Sequence, residues 1–178
     1  GEDQGIITSQ EGMMMSSIID FRETLVSEIM TPRTSMICAP STAGSPELIS
    51  LIIENGFTRI PIYADSPDQI IGILHAKVLL RYCTANSDTP IAGDMVNPAF
   101  FVRENHKIID LLKDFKTKKI HMAVVVDEFS GIRGIVTFED ILEEIVGEIE
   151  DEYDQDHTKW TEVDENTVLT DAKIDIEA

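Results

Sequence analysis

An α+β fold made of two β-α-β-β-α modules packed as a pseudo-twofold pair, preceded by an N-terminal helix, is what this 178-residue sequence predicts. Three observations carry that prediction. Short apolar runs of strand length alternate with segments whose apolar residues recur at three- and four-residue steps, in the order strand, helix, strand, strand, helix. The order occurs twice, and a shift of 62 residues places Gly72 on Gly134, Asp65 on Asp127, Ile73 on Ile135, Leu79 on Ile141 and Leu80 on Leu142. One half, of about 60 residues, would bury too little surface to be comfortable alone, so the two copies should pack together.

Gly1 to Gly12 is polar and weakly patterned and reads as a frayed end. From Met13 a helix is expected, with Ile18, Phe21, Leu25 and Ile29 on one side, and Pro32 stops it. Ser35 to Ala39 reads as a short strand. After a turn around Pro40, Gly44 and Pro46 comes a helix from about Glu47 to Asn55, whose buried side holds Leu48, Ile49, Leu51, Ile52 and Ile53 and whose stop is Gly56. Ile60 to Tyr63 is a strand carrying Pro61, which suits an edge or a bulge. Ile70 to Leu74 is the next strand, and a short helix follows through Tyr82.

Asn86 to Pro90 is a polar linker. The second copy then reads as a strand at Phe100 to Val102, a helix from Lys107 to about Lys116, strands at His121 to Val126 and Ile132 to Val136, and a helix from Phe138 to Ile149. Met30-Thr31-Pro32 has a looser echo in Met95-Val96-Asn97-Pro98. The expected divisions are 1–24, 25–84, 85–152 and 153–178.

Composition narrows the function. With 14 basic and 33 acidic side chains the formal charge is −19, which repels nucleic acid and anionic membranes and makes any anionic ligand depend on local donors. No apolar run approaches the roughly 18 residues of a membrane helix, so the chain reads as soluble and without a signal peptide. Cys38 and Cys83 lie in no metal-ligand spacing and form no disulfide framework, which suits a reducing, cytoplasmic setting. No nucleophile elbow, P-loop or His-Glu-x-x-His pattern is present, so no catalytic residues are assigned and the chain reads as a non-enzyme.

The stretch GIRGIVTFEDILEEIVGE, Gly131 to Glu148, is the most informative. Its strand runs without a spacer into a helix and delivers Thr137 and Asp140 to the helix start, where unpaired N–H groups and the macrodipole favour an anion. A phosphate would use the hydroxyl and the amides, and a ribose diol the carboxylate. The same spacing also describes a helix cap, in which Thr137 accepts from the backbone N–H three residues on. Both readings stand on these residues alone.

The paired modules, each opening near Met-x-Pro, with the second closing on Gly-x-x-Thr-x-x-Asp, resemble a tandem cystathionine-β-synthase (CBS) domain pair. The strings EIMTPRTSM, GFTRIPIY, IIGILHAKVLL, KIHMAVVVDEFSGIRGIVTFEDILEEIVGEI and EDEYD resemble more narrowly the CorC/CNNM-type magnesium and cobalt efflux family, also called haemolysin-C-like, from about Leu25 to Tyr153. The resemblance implies a regulatory module that binds an adenine nucleotide, ATP with Mg2+ or AMP, between the modules and serves a membrane transporter domain in cis or in trans. It also implies a homodimer.

Carried over by position, Asp140 holds the ribose hydroxyls and Thr137 a phosphate oxygen, while Thr31, at the entry to the first module, and Thr58 and Arg59 take the remaining phosphate side. The whole string Phe57-Thr58-Arg59-Ile60-Pro61, Pro61 included, is expected at the nucleotide site. Phe57, Ile60 and Ile135 line the base pocket. Arg59 alone would otherwise be an exposed charge at a strand end. The first module departs from the pattern, because the shift puts His75 opposite Thr137 and Val78 opposite Asp140, so its cleft should hold a nucleotide weakly or not at all. An alternative from the same residues is a ligand-free dimerisation scaffold in which Thr137 and Asp140 only cap a helix.

Other groups are weaker signals. His121 follows Lys116, Lys118 and Lys119 and would steady a phosphate or simply end a solvated helix. Ten acidic residues and no basic one lie between Glu139 and Asp156, yet Glu143, Glu144 and Glu148 fall opposite the apolar stripe, and the sixth position from Asp154 is Lys159 where an EF-hand needs glycine. No metal site is assigned. From Trp160 onward the pattern looks like the opening of the small C-terminal domain of this family, cut short and expected to be disordered or paired opportunistically.

Overall fold

Thr8 opens the first helix through a capping box: its side chain accepts from Glu11 N at 3.2 Å while the Glu11 carboxylate accepts from Thr8 N at 2.9 Å. The structure, a computed structural model, describes residues 8–84, 92–154, 161–164 and 167–169. Helix α1 spans Ser9–Glu23, starting before the expected Met13 because of that cap. It ends where Thr24 turns extended, and a separate short helix α2, Val26–Ile29, follows. The one-helix expectation therefore fails at Thr24 and Leu25. Of the expected apolar stripe, Phe21 and Ile29 do pack against the second module's core, whereas Ile18 is 60% exposed.

Each module is a small sheet with two helices on one face. The first has β2 (Ala39–Pro40), α3 (Ser45–Asn55), β3 (Arg59–Tyr63), β4 (Ile70–His75) and α4 (Ala76–Thr84), in the sheet order β2-β3-β4. The second has β5 (Phe101–Arg103), α5 (Ile108–Lys118), β6 (Met122–Val126), β7 (Ile132–Thr137) and α6 (Phe138–Asp154). Its sheet order is β1-β7-β6-β5, where β1 is Thr31–Pro32 from the beginning of the chain. Of the strand expected at Ser35 to Ala39 only Ala39 is in one: Ser35 ends a 3-10 turn, Arg33–Ser35, and the residues between it and Ala39 belong to no regular element. Gly56 ends α3 in the left-handed region (φ 69), a conformation glycine adopts without penalty. The Asn86 to Pro90 linker lies outside the described residues. Beyond α6, β8 (Thr161–Asp164) and β9 (Thr167–Leu169) pair antiparallel, the second of the two alternatives expected there.

Period-two alternation explains how the layers stack. All of β6 is buried: Ala123 and Val125 join Val26, Ile108, Leu111, Phe115 and Ile141 in the second module's own core, while Met122, Val124 and Val126 face the other way. There they meet Ile70 and Ile73 of β4 and Ile132 and Ile135 of β7, so the two sheets share a third apolar layer between them. The first module's core gathers Leu48, Ile60, Ile62, Leu74 and Leu79.

The segments preceding the modules are exchanged. Thr31 and Pro32 pair with Ile135 and Gly134 of the second sheet, and Asn97 bridges Ile73 of the first sheet through N–H···O bonds of 2.8 and 2.9 Å. The echo between Met30-Thr31-Pro32 and Val96-Asn97-Pro98 is thus also spatial. Both crossings run over a glycine. A Cβ on Gly134 would collide with the Thr31 carbonyl and the Pro32 backbone, and one on Gly72 would sit 2.5 Å from the Asn97 carbonyl oxygen. Val26 N and Ser27 N add bonds to His106 O (2.8 Å) and Glu104 O (3.0 Å), fastening the chain's beginning to the second module.

Candidate functional site

The β7–α6 junction decides what sits at the module interface. Thr137 and Asp140 form a reciprocal cap: Asp140 N donates to Thr137 Oγ1 at 3.1 Å, and Thr137 N donates to Asp140 Oδ2 at 2.9 Å. The capping reading is therefore realised, and it does not use up either side chain. A hydroxyl that accepts still has its own proton to donate, and the second carboxylate oxygen, Oδ1, is still an acceptor. Both side chains are half-buried, so the cap fixes their direction before any ligand arrives.

These two residues open onto a cavity of about 440 Å3 between the modules. Thr31 reaches it from β1, across the ladder from Ile135, which forms part of its apolar wall. Phe57 and Thr58 reach it from the turn after Gly56, and Arg59 from the start of β3. Of the nine residues expected at the site, Thr31, Phe57, Thr58, Arg59, Ile135, Thr137 and Asp140 line this one space.

Ile60 and Pro61 do not line the cavity, which corrects the expectation for both. Ile60 is 1% exposed and lies in the first module's core, because one step along a strand from Arg59 points to the opposite face. Pro61 is buried opposite Ile73 in the β3–β4 ladder. At Pro61 the β2 side of β3 carries no registered partner, since β2 reaches only Ile62 and Tyr63, and a bulge follows, so both of the tolerances expected for a strand proline are present.

Sequence reasoning missed Ser35, Ile37, Gly56, Met122 and Glu139. Met122 lies in register with Thr137 across the β6–β7 pair, a pairing the sequence does not print. Glu139 was read as part of a solvated run, and its side chain is indeed 64% exposed.

Arg59 is the poorly satisfied group here. Its Nη1 contacts Thr58 Oγ1 at 3.3 Å and Glu139 Oε1 at 4.0 Å, while its buried Nε has no hydrogen-bond partner. A guanidinium so placed is ready to take an oxyanion, which would replace a distant exposed carboxylate by charge-assisted bonds. His121 Nδ1 also stands 4.0 Å from Glu139 Oε1. The site therefore offers a hydroxyl donor, a free carboxylate oxygen, an under-satisfied arginine and an apolar wall in one space.

The family model for the CBS domain matches residues 26–85 and 91–147. The chain is a CBS-domain pair. Among solved structures, the CBS domain of the bacterial CNNM/CorC family Mg2+ transporter in complex with ATP is similar at 43% identity and a TM-score of 0.71, covering 78% of this chain and 98% of that one. A CBS-domain pair with bound AMP from Klebsiella pneumoniae is 29% identical, TM-score 0.58, covering 70% of this chain and 99% of that one. The magnesium and cobalt efflux protein CorC of Pasteurella multocida (strain Pm70) is 36% identical over 99% of this chain and 59% of its own length. CorC of Vibrio cholerae serotype O1 is 39% identical over 82% of this chain and 50% of its own length. This CBS pair thus spans about half the length of these relatives, and it is of the CorC/CNNM type. Among its described residues no helix is long and apolar enough to cross a membrane.

The CBS pair has a second, larger cavity of about 880 Å3 at the pseudo-symmetric position. His75 and Val78 line it, as the 62-residue shift requires, and Thr58, Arg59 and Met122 are common to both cavities. Desolvation, helped by the charges of Arg59, Lys77 and His121, pushes the His75 pKa down. Burial raises that of the Cys38 thiol, and the Arg33 charge only partly offsets it.

Proposed function

We propose that this CBS pair is the adenine-nucleotide-responsive regulatory part of a magnesium and cobalt transport protein, acting on an attached or associated membrane domain. The observation that carries the reading is the meeting of Thr31, Arg59, Thr137 and Asp140 on one cavity. Asp140 Oδ1 accepts from a ribose hydroxyl, the Thr137 hydroxyl donates to a phosphate oxygen, and Arg59 with Thr31 and Thr58 receives the rest of the phosphate. Phe57, Ile135 and Met122 offer the purine an apolar surface. The volume falls within the roughly 300–1,000 Å3 of small-molecule sites. The names of the ATP- and AMP-bound neighbours support the ligand class.

The chain's charge of −19 opposes a free triphosphate, so Mg2+ bound to the nucleotide would ease its approach by cancelling part of the ligand's charge. Binding rather than turnover is the output: a nucleotide that prefers one arrangement of the two modules biases the transporter by that difference in affinity. Such a ligand places the module on the cytoplasmic side. Leu80 of α4 and Leu142 of α6, exposed 62% and 40% and equivalent under the repeat, support a homodimer through these helix faces.

The reciprocal cap favours a second reading, a ligand-free dimerisation scaffold. Calorimetric titration with ATP, with and without Mg2+, and with AMP separates the two. Saturable binding that Asp140→Ala abolishes supports the nucleotide reading, and no heat from any of these ligands leaves the scaffold.

A further inference from the structure

The larger cavity combines features that the nucleotide reading does not use. Its charged and titratable lining is Arg59 from β3, His75, Lys77 and Arg81 at and along α4, and Lys119 and His121 between α5 and β6. No aspartate or glutamate lines it, in a chain of 33 acidic and 14 basic side chains. Four of those 14 therefore converge on one space from both modules. Chance placement on so acidic a molecule would bring carboxylates with them.

Two further observations bear on the ligand. Lys119 closes α5 in the left-handed region (φ 54), where glycine or asparagine would be unstrained, yet the position carries a cation. Ala76, Lys77 and Val78 bring the first turn of the nine-residue helix α4 to the cavity; Ala76 N already donates to Thr58 O at 2.9 Å, and the positive end of the helix adds to the field there. What the cavity lacks is a carboxylate to accept from both hydroxyls of a ribose diol, because Val78 stands where Asp140 stands in the other module and packs against the first module's core.

We propose that the larger cavity is a second anion site, for a compact phosphoryl anion that carries two or more phosphoryl groups and no nucleoside. Several cations spread over three elements suit a chain of linked phosphates better than a single one, since each can take its own oxygens. The site does not rest on the nucleotide reading. It stands whether or not the smaller cavity takes ATP.

The probe is inorganic triphosphate, titrated calorimetrically into the full chain. Lys77→Gln with Arg81→Gln removes two cations that line only the larger cavity, at exposed helix positions where glutamine forms helix as well. Affinity should fall by about tenfold or more per lost charged contact. Lys113→Gln with Lys116→Gln, which lowers the net charge equally but away from the cavity, should leave it nearly unchanged. The proposal is overturned if the wild-type chain takes up no triphosphate, or if both lysine-region double variants weaken it alike.

Discussion

Replacing Asp140 by asparagine separates the helix cap it makes from the ribose contact proposed for it. Asp140 Oδ2 accepts from Thr137 N at 2.9 Å, and an asparagine carbonyl can keep that bond. Its amide nitrogen then takes the place of Oδ1, the oxygen the cap leaves free, and a nitrogen of this kind donates but does not accept. A ribose hydroxyl that had donated to a carboxylate meets another donor. A hydrogen bond to a charged group contributes about 1.5–3 kcal/mol, so losing even one weakens ATP by roughly 10- to 150-fold. Stability should fall by only about 0.3–1 kcal/mol, the loss of a negative charge at a helix N-terminus. Asp140→Ala should bind as poorly and also lose the cap, costing roughly 0.5–2 kcal/mol. Calorimetry gives the affinities and urea unfolding the stabilities. Should Asp140→Asn bind ATP within about twofold of wild type, no ribose hydroxyl leans on this carboxylate and the ligand geometry is wrong.

Three further outcomes follow from the packing and the titrating groups. Gly134→Ala forces a methyl group into the Thr31 carbonyl and the Pro32 backbone, so it should cost about 1–3 kcal/mol and raise amide exchange along β1 and β7; an unchanged urea midpoint would remove the crossing strand as a constraint. His75 has a folded-state pKa below its ordinary 6.5, so the folded protein binds this proton less tightly than the unfolded one. Its contribution is complete above about pH 6.5 and shrinks as pH falls toward the lowered value, and wild type should therefore lose more stability than His75→Gln between about pH 7 and 5. Cys83 is exposed while Cys38 is half-buried with a raised pKa, so iodoacetamide near neutral pH should label Cys83 first by peptide mass, and the reverse order would contradict that placement.

The repeat was legible because it is written in residues whose roles are local. Gly56 stops a helix in the left-handed region, and Thr137 with Asp140 caps one, so each announces its position without reference to the rest of the chain. What depends on pairing between distant segments was not legible. Nothing in Thr31-Pro32 says that it will lie against Gly134, although Gly72 and Gly134 could have warned that another backbone comes close at equivalent points. Ile60 was placed at the site because it lies within the string Phe57-Thr58-Arg59-Ile60-Pro61, yet a strand turns alternate residues to opposite faces and puts it in the core. Met122 was overlooked for the converse reason: it is far from Thr137 in sequence and beside it in register. Helix α1 was misjudged at both ends, since Thr8 caps it earlier and Thr24 breaks it sooner than apolar spacing alone suggests.

Duplication supplied two equivalent clefts, and the difference between them lies in side chains rather than backbone. In both modules the last strand runs directly into the helix that follows, and in both a segment from elsewhere in the chain crosses over a glycine. The helix start therefore presents the same amides twice. At β7–α6 those amides come with Thr137 and Asp140, a donor and an acceptor held by their own cap. At β4–α4 they come with His75 and Val78, one raising the positive charge only when protonated, the other serving the core. A nucleoside needs the first set and a bare phosphoryl chain can use the second. Arg59 borders both cavities with its Nε unpartnered, so an anion drawn toward either side competes for the same guanidinium. If both clefts bind anions as proposed, sharing one cation would keep them from filling independently, and such dependence would suit a regulatory pair of modules.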